Sequence, residues 1–491
     1  MAHTYMINPN CSSSDFIFTA GVRFFAPVLI VLLCFYCESG DNRIMKRKFV
    51  KTFLSCFLMI VLLCQTACAG NTKSDLINSP TAPVITVPVR ITNAPWTETP
   101  ISTDGSFNSP SESFPLPTET ASPITIAPAT PTPTITNGEN KDELSVDTLI
   151  SEMSLEEKVA QLFVVVPYAL TDITDANEAN EAYKTAFGKY PVGGFCYMGN
   201  SIVSESQVKN MITKSQKYSY DRVGVPLFTC IDEEGGIVAR IANSSINVTK
   251  VGNMCDIGAS NDISAAKNVG TTIGEYLSDF GFNVDFAPVS DVLSNPDNTV
   301  VKKRSFGSDS KVVSDMSLAV MDGLAEQGVY GTLKHFPGHG ATEGDTHEGY
   351  AYTSKILDEL EKCELIPFAD GIKNGAEFIM VGHISLPNVT GDNTPASLSE
   401  KMITGVLRET MGYDGIIITD ALNMGAITKQ YSSAEAAVKT LLAGSDMILM
   451  PDDFRDAYEG VLDAVKNGTI TENRINESLE RILKIKIEIM K

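Results

Sequence analysis

The segment Lys334-His335-Phe336-Pro337-Gly338-His339-Gly340, followed by Asp345-Thr346-His347, concentrates the residue types that move protons. The chain has only five histidines, and four of them (His335, His339, His347 and His383) fall within 49 residues. Imidazole is the side chain whose ordinary pKa lies nearest neutrality, so a cluster in a histidine-poor chain points to acid–base chemistry. Pro337 and the glycines on either side of His339 interrupt any helix, and the segment reads as a strand running into a shaped loop. Asp345 and His347 stand two apart, so on an extended loop both side chains can point the same way. A carboxylate beside an imidazole fixes its tautomer and favours the protonated form, which makes a general acid usable near neutral pH. Three histidines and an aspartate could instead bind zinc. There is no HExxH or HxH spacing, however, and Lys334 beside His335 would repel a cation, so no metal is expected. His339 fits a structural role as well as a functional one.

A second candidate is Asp420, which ends the apolar run Ile416-Ile417-Ile418-Thr419. A buried aspartate has to be paired or hydrogen-bonded. Here it could attack an electrophilic carbon as a nucleophile, or simply cap the next helix. Further polar residues follow other apolar runs: Asp232-Glu233-Glu234-Gly235-Gly236, the pair Asp285 and Asp291, and His383.

Positioning such residues takes elements that bring their ends together. Eight short β-rich runs are present: Leu162–Val166, Val192–Cys196, Leu227–Ile231, Asn283–Ala287, Gly331–His335, Phe378–Gly382, Ile416–Thr419 and Met447–Met450. Helical patterns separate them, over about 206–218, 262–280, 309–327, 355–374, 398–411, 433–444 and 453–466, with a last one at 472–489. Another helix starts at Ser154, where Glu157 three residues on makes a capping box. Strands alternating with helices read as parallel βαβ units, and eight of them predict a closed (β/α)8 TIM-like barrel with its active site at the C-terminal strand ends. A doubly wound open sheet is the main rival. In the barrel, the charged residues named above converge on one mouth.

These motifs resemble glycoside hydrolase family 3. The resemblance rests on KHFPGHG-x4-D-x-H, on DEEGG-x-V-x-R at 232–240, on Arg304-Ser305-Phe306-Gly307 and on ITDAL at 418–422. It spans nearly all of 145–490, and the branch it fits best is the single-domain β-N-acetylhexosaminidases. The resemblance implies that Asp420 is the nucleophile and His347 the general acid/base, supported by Asp345. It implies that Asp232, Arg240, Arg304, Lys334 and His335 grip an N-acetylglucosamine unit, and that no cofactor is needed. Glu233 departs from the branch, which more often has Gln there, and Ala421 replaces a frequent Asp. Neither change removes a named catalytic role. The implied reaction is a retaining double displacement, with an imidazole where most such enzymes use a second carboxylate. A family 3 enzyme with glucose or xylose preference, a phosphorylase, and a sugar-binding lipoprotein without catalysis are the alternatives.

Composition bounds the partners. With 38 Lys+Arg against 60 Asp+Glu the formal charge is −22, which argues against nucleic acid or an anionic surface as the main partner. The charge is uneven, since residues 1–68 hold six Lys/Arg and three Asp/Glu. From Met45 a basic stretch, an apolar run from Phe53 to Cys64 and small residues before Cys68 form a secretory signal. Thr66-Ala67-Cys68 resembles a lipobox in which Cys68 would be lipidated, although Gln65 departs from its usual aliphatic residue. The earlier apolar run from Phe24 to Cys37 is short for a span of about 20 residues, so Met45 is the expected start. Residues 69–140 carry 12 of the 24 prolines and 14 threonines, the composition of an extended tether behind a catalytic domain at 141–491. The expectation is therefore an exported protein, anchored by lipid to the outer face of a bacterial cytoplasmic membrane or otherwise secreted. Four cysteines beyond Cys68, with no CxxC pair, read as free thiols. The only tryptophan, Trp96, lies in the tether. Long polysaccharide clefts rely on aromatic platforms, so its absence from the body favours a pocket that removes one terminal sugar. A muropeptide or chitooligosaccharide substrate would suit that pocket. The sequence leaves the oligomeric state open.

Overall fold

The structure, a computed structural model, describes residues 145–171, 177–344, 349 and 351–491. The leader at 1–68, its start at Met45, Cys68 and the tether at 69–140 all lie outside the described residues.

Each of the eight apolar runs overlaps a strand, and the fifth strand extends one residue beyond its run at each end. These are β1 Phe163–Val165, β2 Gly194–Cys196, β3 Phe228–Ile231, β4 Val284–Asp285, β5 Tyr330–Phe336, β6 Phe378–Val381, β7 Ile416–Thr419 and β8 Ile448–Leu449. They lie in the order β7-β6-β5-β4-β3-β2-β1-β8, all parallel. An Ile418–Met447 bridge joins β7 to β8 and brings the ends of the sheet together. Consecutive strands are neighbours throughout, so the fold is the expected (β/α)8 barrel and not a doubly wound sheet, whose order would reverse.

The strands are apolar on both faces because both are covered. Phe378 and Met380 of β6 and Ile416 and Ile418 of β7 face the barrel interior, where the Phe228 and Phe378 rings meet edge-on at 5.4 Å. Their alternates Ile379, Val381 and Ile417 pack beneath helices Ile366–Lys373 and Lys401–Thr410. Lys486, from the last helix Glu472–Ile489, closes the floor. It is fully buried, donates to Gln161 Oε1 at 2.8 Å and lies over the Phe228 ring at 5.1 Å. Burial without a carboxylate partner pushes its pKa down to about 7.

Several helical details differ from the expectation, among them the short helices Val146–Glu152 and Met254–Ser260, which the pattern did not indicate. Glu181–Lys189 was not foreseen, because it buries only Tyr183 and Phe187 and offers too few apolar residues to show a period. The stretch 355–374 is two helices, Leu357–Glu361 and Ile366–Lys373, with Pro367 in the first turn of the second, where its missing N–H costs nothing. Lys401–Thr410 winds as a π-helix. Two long helices outside β4 and β5, Ile263–Phe280 and Ser310–Ala325, meet backbone to backbone. A Cβ on Gly270 would lie 2.1 Å from the Val320 carbonyl oxygen, and one on Gly323 2.3 Å from that of Lys267.

Candidate active site

Charged residues gather at the C-terminal ends of β3, β5 and β7, as barrel geometry requires. Lys334, buried within β5, places Nζ 2.9 Å from Asp232 Oδ1 and 2.6 Å from Glu234 Oε1. Arg304, from the loop after β4, reaches Glu234 with two parallel bonds, Nε and Nη2 each at 2.7 Å. Arg240 donates from Nη2 to the other oxygen of Asp232 at 3.2 Å. Two carboxylates and three cations thus form one network. A planar guanidinium matched to a carboxylate adds direction as well as charge. Burial pushes Asp232 up, but Lys334 and Arg240 outweigh it and hold the carboxyl below its ordinary value. Glu234 follows the same logic: burial raises it, while Arg304 and Lys334 hold it far lower. Lys334 is pushed down by burial and, more strongly, up by Asp232 and Glu234, so it stays an ammonium.

The turn that carries Arg240 is clamped from behind. Glu233 is fully buried, and its carboxylate accepts from the backbone N–H groups of Ile241 (2.8 Å) and Ala242 (2.9 Å) and from Tyr276 Oη (2.8 Å). Its own N–H donates to Asp285 Oδ1 at 2.9 Å. Asp285, the last residue of β4, therefore supports the loop, and burial holds its carboxyl well above the ordinary range.

His335 is oriented by Asp291, which takes the ring Nδ1–H at 2.7 Å and the backbone N–H of His335 at 3.1 Å. The same carboxylate takes the His339 backbone N–H at 2.6 Å, so one side chain fixes both ends of the His335–His339 turn. Burial raises Asp291, and the two histidines bring it below its usual value. The Nε2 edge of His335 lies 3.4 Å from Arg304 Nη2. His339 packs against Thr342 Oγ1 at 3.1 Å, and burial lowers its pKa to about 4, which suits a neutral structural ring.

Asp420 stands one residue past β7 and is half-buried. Its N–H donates to the Val381 carbonyl (2.9 Å), and its Oδ1 accepts the Ala421 N–H (2.7 Å). Burial raises the carboxyl, yet His335, His383 and Lys334 keep it below its ordinary value. It is an ionised carboxylate facing the cationic network, not a helix cap. Asp345 and His347 lie outside the described residues. Among the described residues no three His, Cys, Asp or Glu side chains form a metal-binding group.

The structure thus brings together Asp232, Arg240, Arg304, Lys334, His335 and Asp420. Sequence reasoning missed Glu234, although it sits in the middle of Asp232-Glu233-Glu234, because three adjacent acids do not reveal which face the mouth. It also missed the pairing of Asp291 with His335 across 44 residues.

A parallel eight-stranded barrel with carboxylates and buried cations gathered at the C-terminal strand ends has the layout of a barrel enzyme, whose active site lies at that face. Residues 154–485 match the family model described as Glycosyl hydrolase family 3 N terminal domain, and the chain belongs to that family. It is 34% identical over 326 residues to beta-hexosaminidase A of Pseudoalteromonas piscicida, covering 61% of this chain and 54% of that protein. It is 32% identical to beta-hexosaminidase LpqI of Mycobacterium tuberculosis, over 68% of this chain and 83% of that one. The chain thus spans about half the length of the first relative and most of the second. Among solved structures, a glycoside hydrolase family 3 beta-N-acetylglucosaminidase from Paenibacillus superposes with TM-score 0.65 at 34% identity, covering 69% of this chain and 63% of that one. The beta-glucoside phosphorylase BglX superposes with TM-score 0.62 at 25% identity, covering 70% and 60%.

Proposed function

We propose that the chain is an exo-acting, retaining β-N-acetylhexosaminidase that removes terminal N-acetylglucosamine from peptidoglycan fragments or chitooligosaccharides. The observation that carries this reading is the Asp420 carboxylate one residue past β7, fixed by the Ala421 N–H at 2.7 Å at the same strand ends as the network of Lys334, Asp232, Glu234 and Arg304. In the first step Asp420 attacks the anomeric carbon, the bond to the aglycone oxygen breaks, and His347 gives that oxygen its proton. In the second step His347 takes a proton from water, the water oxygen bonds to the anomeric carbon, and Asp420 leaves as a carboxylate. Asp345 supports the imidazolium. Asp232, Arg240, Arg304, Lys334 and His335 hold the ring hydroxyls, and their mutual ion pairs set them in place before the sugar arrives.

A second reading, phosphorolysis, is favoured by the similarity to the beta-glucoside phosphorylase. One experiment tests both. The purified protein is given p-nitrophenyl N-acetyl-β-glucosaminide, glucoside and xyloside, with and without phosphate. Fastest release from the N-acetylglucosaminide, unchanged by phosphate, is the expected result, together with a loss of turnover by orders of magnitude in Asp420→Ala. Undiminished turnover in that variant overturns the mechanism, and a phosphate requirement with a sugar phosphate as product selects the second reading. The leader supports export with Cys68 as a lipid anchor. Palmitate labelling that disappears in Cys68→Ala tests this.

A further inference from the structure

His383 follows β6 by two residues and is buried. Its Nε2 lies 2.9 Å from the Ala421 carbonyl oxygen and its Nδ1 2.7 Å from Ser397 Oγ. A carbonyl can only accept, so Nε2 carries a proton whatever the ring's charge. Ala421 in turn gives its N–H to Asp420 Oδ1 at 2.7 Å. Ser397 is held on its other side. Its N–H donates to the Gly382 carbonyl at 3.2 Å, and its carbonyl accepts Thr440 Oγ1, from helix Ser433–Ala443, at 2.7 Å. Thr440 Oγ1 also lies 2.9 Å from Ser445 Oγ. Ser397, Thr440 and Ser445 are buried.

We infer that His383 is a positioning residue for the nucleophile, acting through Ala421 and held in register by Ser397. This rests on Asp420 being the nucleophile. The other residues of that segment already have anchors: Asp420 N–H on β6 and the N–H groups of Leu422 and Asn423 on the carbonyls of Leu449 and Met450. Residue 421 has the Met424 N–H, a bond within its own turn at 3.1 Å, so His383 is its tie to the neighbouring strand end. Holding the Ala421 carbonyl restricts backbone rotation at the residue whose N–H holds Oδ1, which leaves Oδ2 as the attacking oxygen. The oxygen that stays behind becomes the carbonyl of the glycosyl ester, and it keeps the same hydrogen bond through both steps.

The test uses two amide substitutions. A Gln side chain sets its Nε2 where the imidazole Nε2 lay and keeps the bond to Ala421, whereas Asn sets its Nδ2 near Nδ1 and keeps only the Ser397 bond. On p-nitrophenyl N-acetyl-β-glucosaminide, His383→Gln is expected to keep kcat within about fivefold. His383→Asn is expected to lose about a hundredfold in kcat with KM unchanged, the size of effect that an ångström of misplacement gives. Equal losses in the two variants, a change in KM alone, or no change in either overturns the proposal. If His383→Asn fails to fold, Ser397→Ala serves instead: a fall in kcat at constant KM supports the relay, and an unchanged kcat refutes it. Turnover by the unsubstituted protein tests the hydrolase reading, and only the ratio of variant to parent tests the role of His383.

Discussion

Replacing Glu234 by Gln should destabilise the folded protein by about 3 kcal/mol near neutral pH, the lower end of the cost of breaking a buried ion pair. Glu234 has a side chain 1% exposed, and its partners Lys334 and Arg304 are 2% and 11% exposed. It receives three charge-assisted bonds at 2.6–2.7 Å. Gln keeps one oxygen but turns an NH2 toward a donor, takes from Arg304 its carboxylate partner and leaves Lys334 with Asp232, which Arg240 already shares. The pH dependence gives a second handle. Glu234 sits far below the ordinary 4.5 when folded, so the stability it contributes is complete above that value and is lost progressively as pH falls from there toward the folded value. One unit below, at pH 3.5, the gap between parent and variant should have narrowed by about 1.4 kcal/mol relative to pH 7. Urea unfolding of both proteins at the two pH values measures this, with other carboxyls cancelling in the difference. A cost under about 1 kcal/mol at pH 7, or a gap indifferent to pH, would refute the account of the network.

Two further outcomes follow from buried groups. Removing the acceptor in Glu233→Ala strands the N–H groups of Ile241 and Ala242, at a cost of about 2–3 kcal/mol, and should loosen Arg240; denaturation and a raised KM for the N-acetylglucosaminide would register it. Lys486 has a folded pKa lowered to about 7, so the unfolded chain binds the extra proton above that pH and stability rises from pH 7 toward the ordinary 10.5. Relative to Lys486→Met, the parent should gain about 2 kcal/mol between pH 7 and pH 9 in chemical denaturation, and a flat difference would mean the lysine does not titrate there.

The barrel was legible because each strand is a short apolar run and the helices between them carry an amphipathic period. Helix Glu181–Lys189 escaped because two buried rings in nine residues make no pattern. In the site, Lys334, His335 and Asp420 announced themselves as charged groups at the ends of buried strands. Glu234 did not, since sequence cannot tell which of three consecutive acids turns toward the mouth and which, like Glu233, turns into the wall. Asp291 and His335 are 44 residues apart and meet only because β4 and β5 are neighbours in the ring. The same holds for the link from His383 to Ala421 across β6 and β7.

The glycine contact between helices Ile263–Phe280 and Ser310–Ala325 carries a warning for engineering. Exchanging a helical glycine for alanine is an ordinary route to a more stable protein, worth up to about 1 kcal/mol. At Gly270 and Gly323 the added methyl would meet a carbonyl oxygen at 2.1 and 2.3 Å, and rigid backbone cannot yield as a side chain does. The helices would have to part. They pack outside the strands that carry or precede Asp291, Lys334 and His335, so a substitution chosen for thermostability on the outer wall would reset distances among those three side chains. Local helical preference gives way there to the close approach of the two helices.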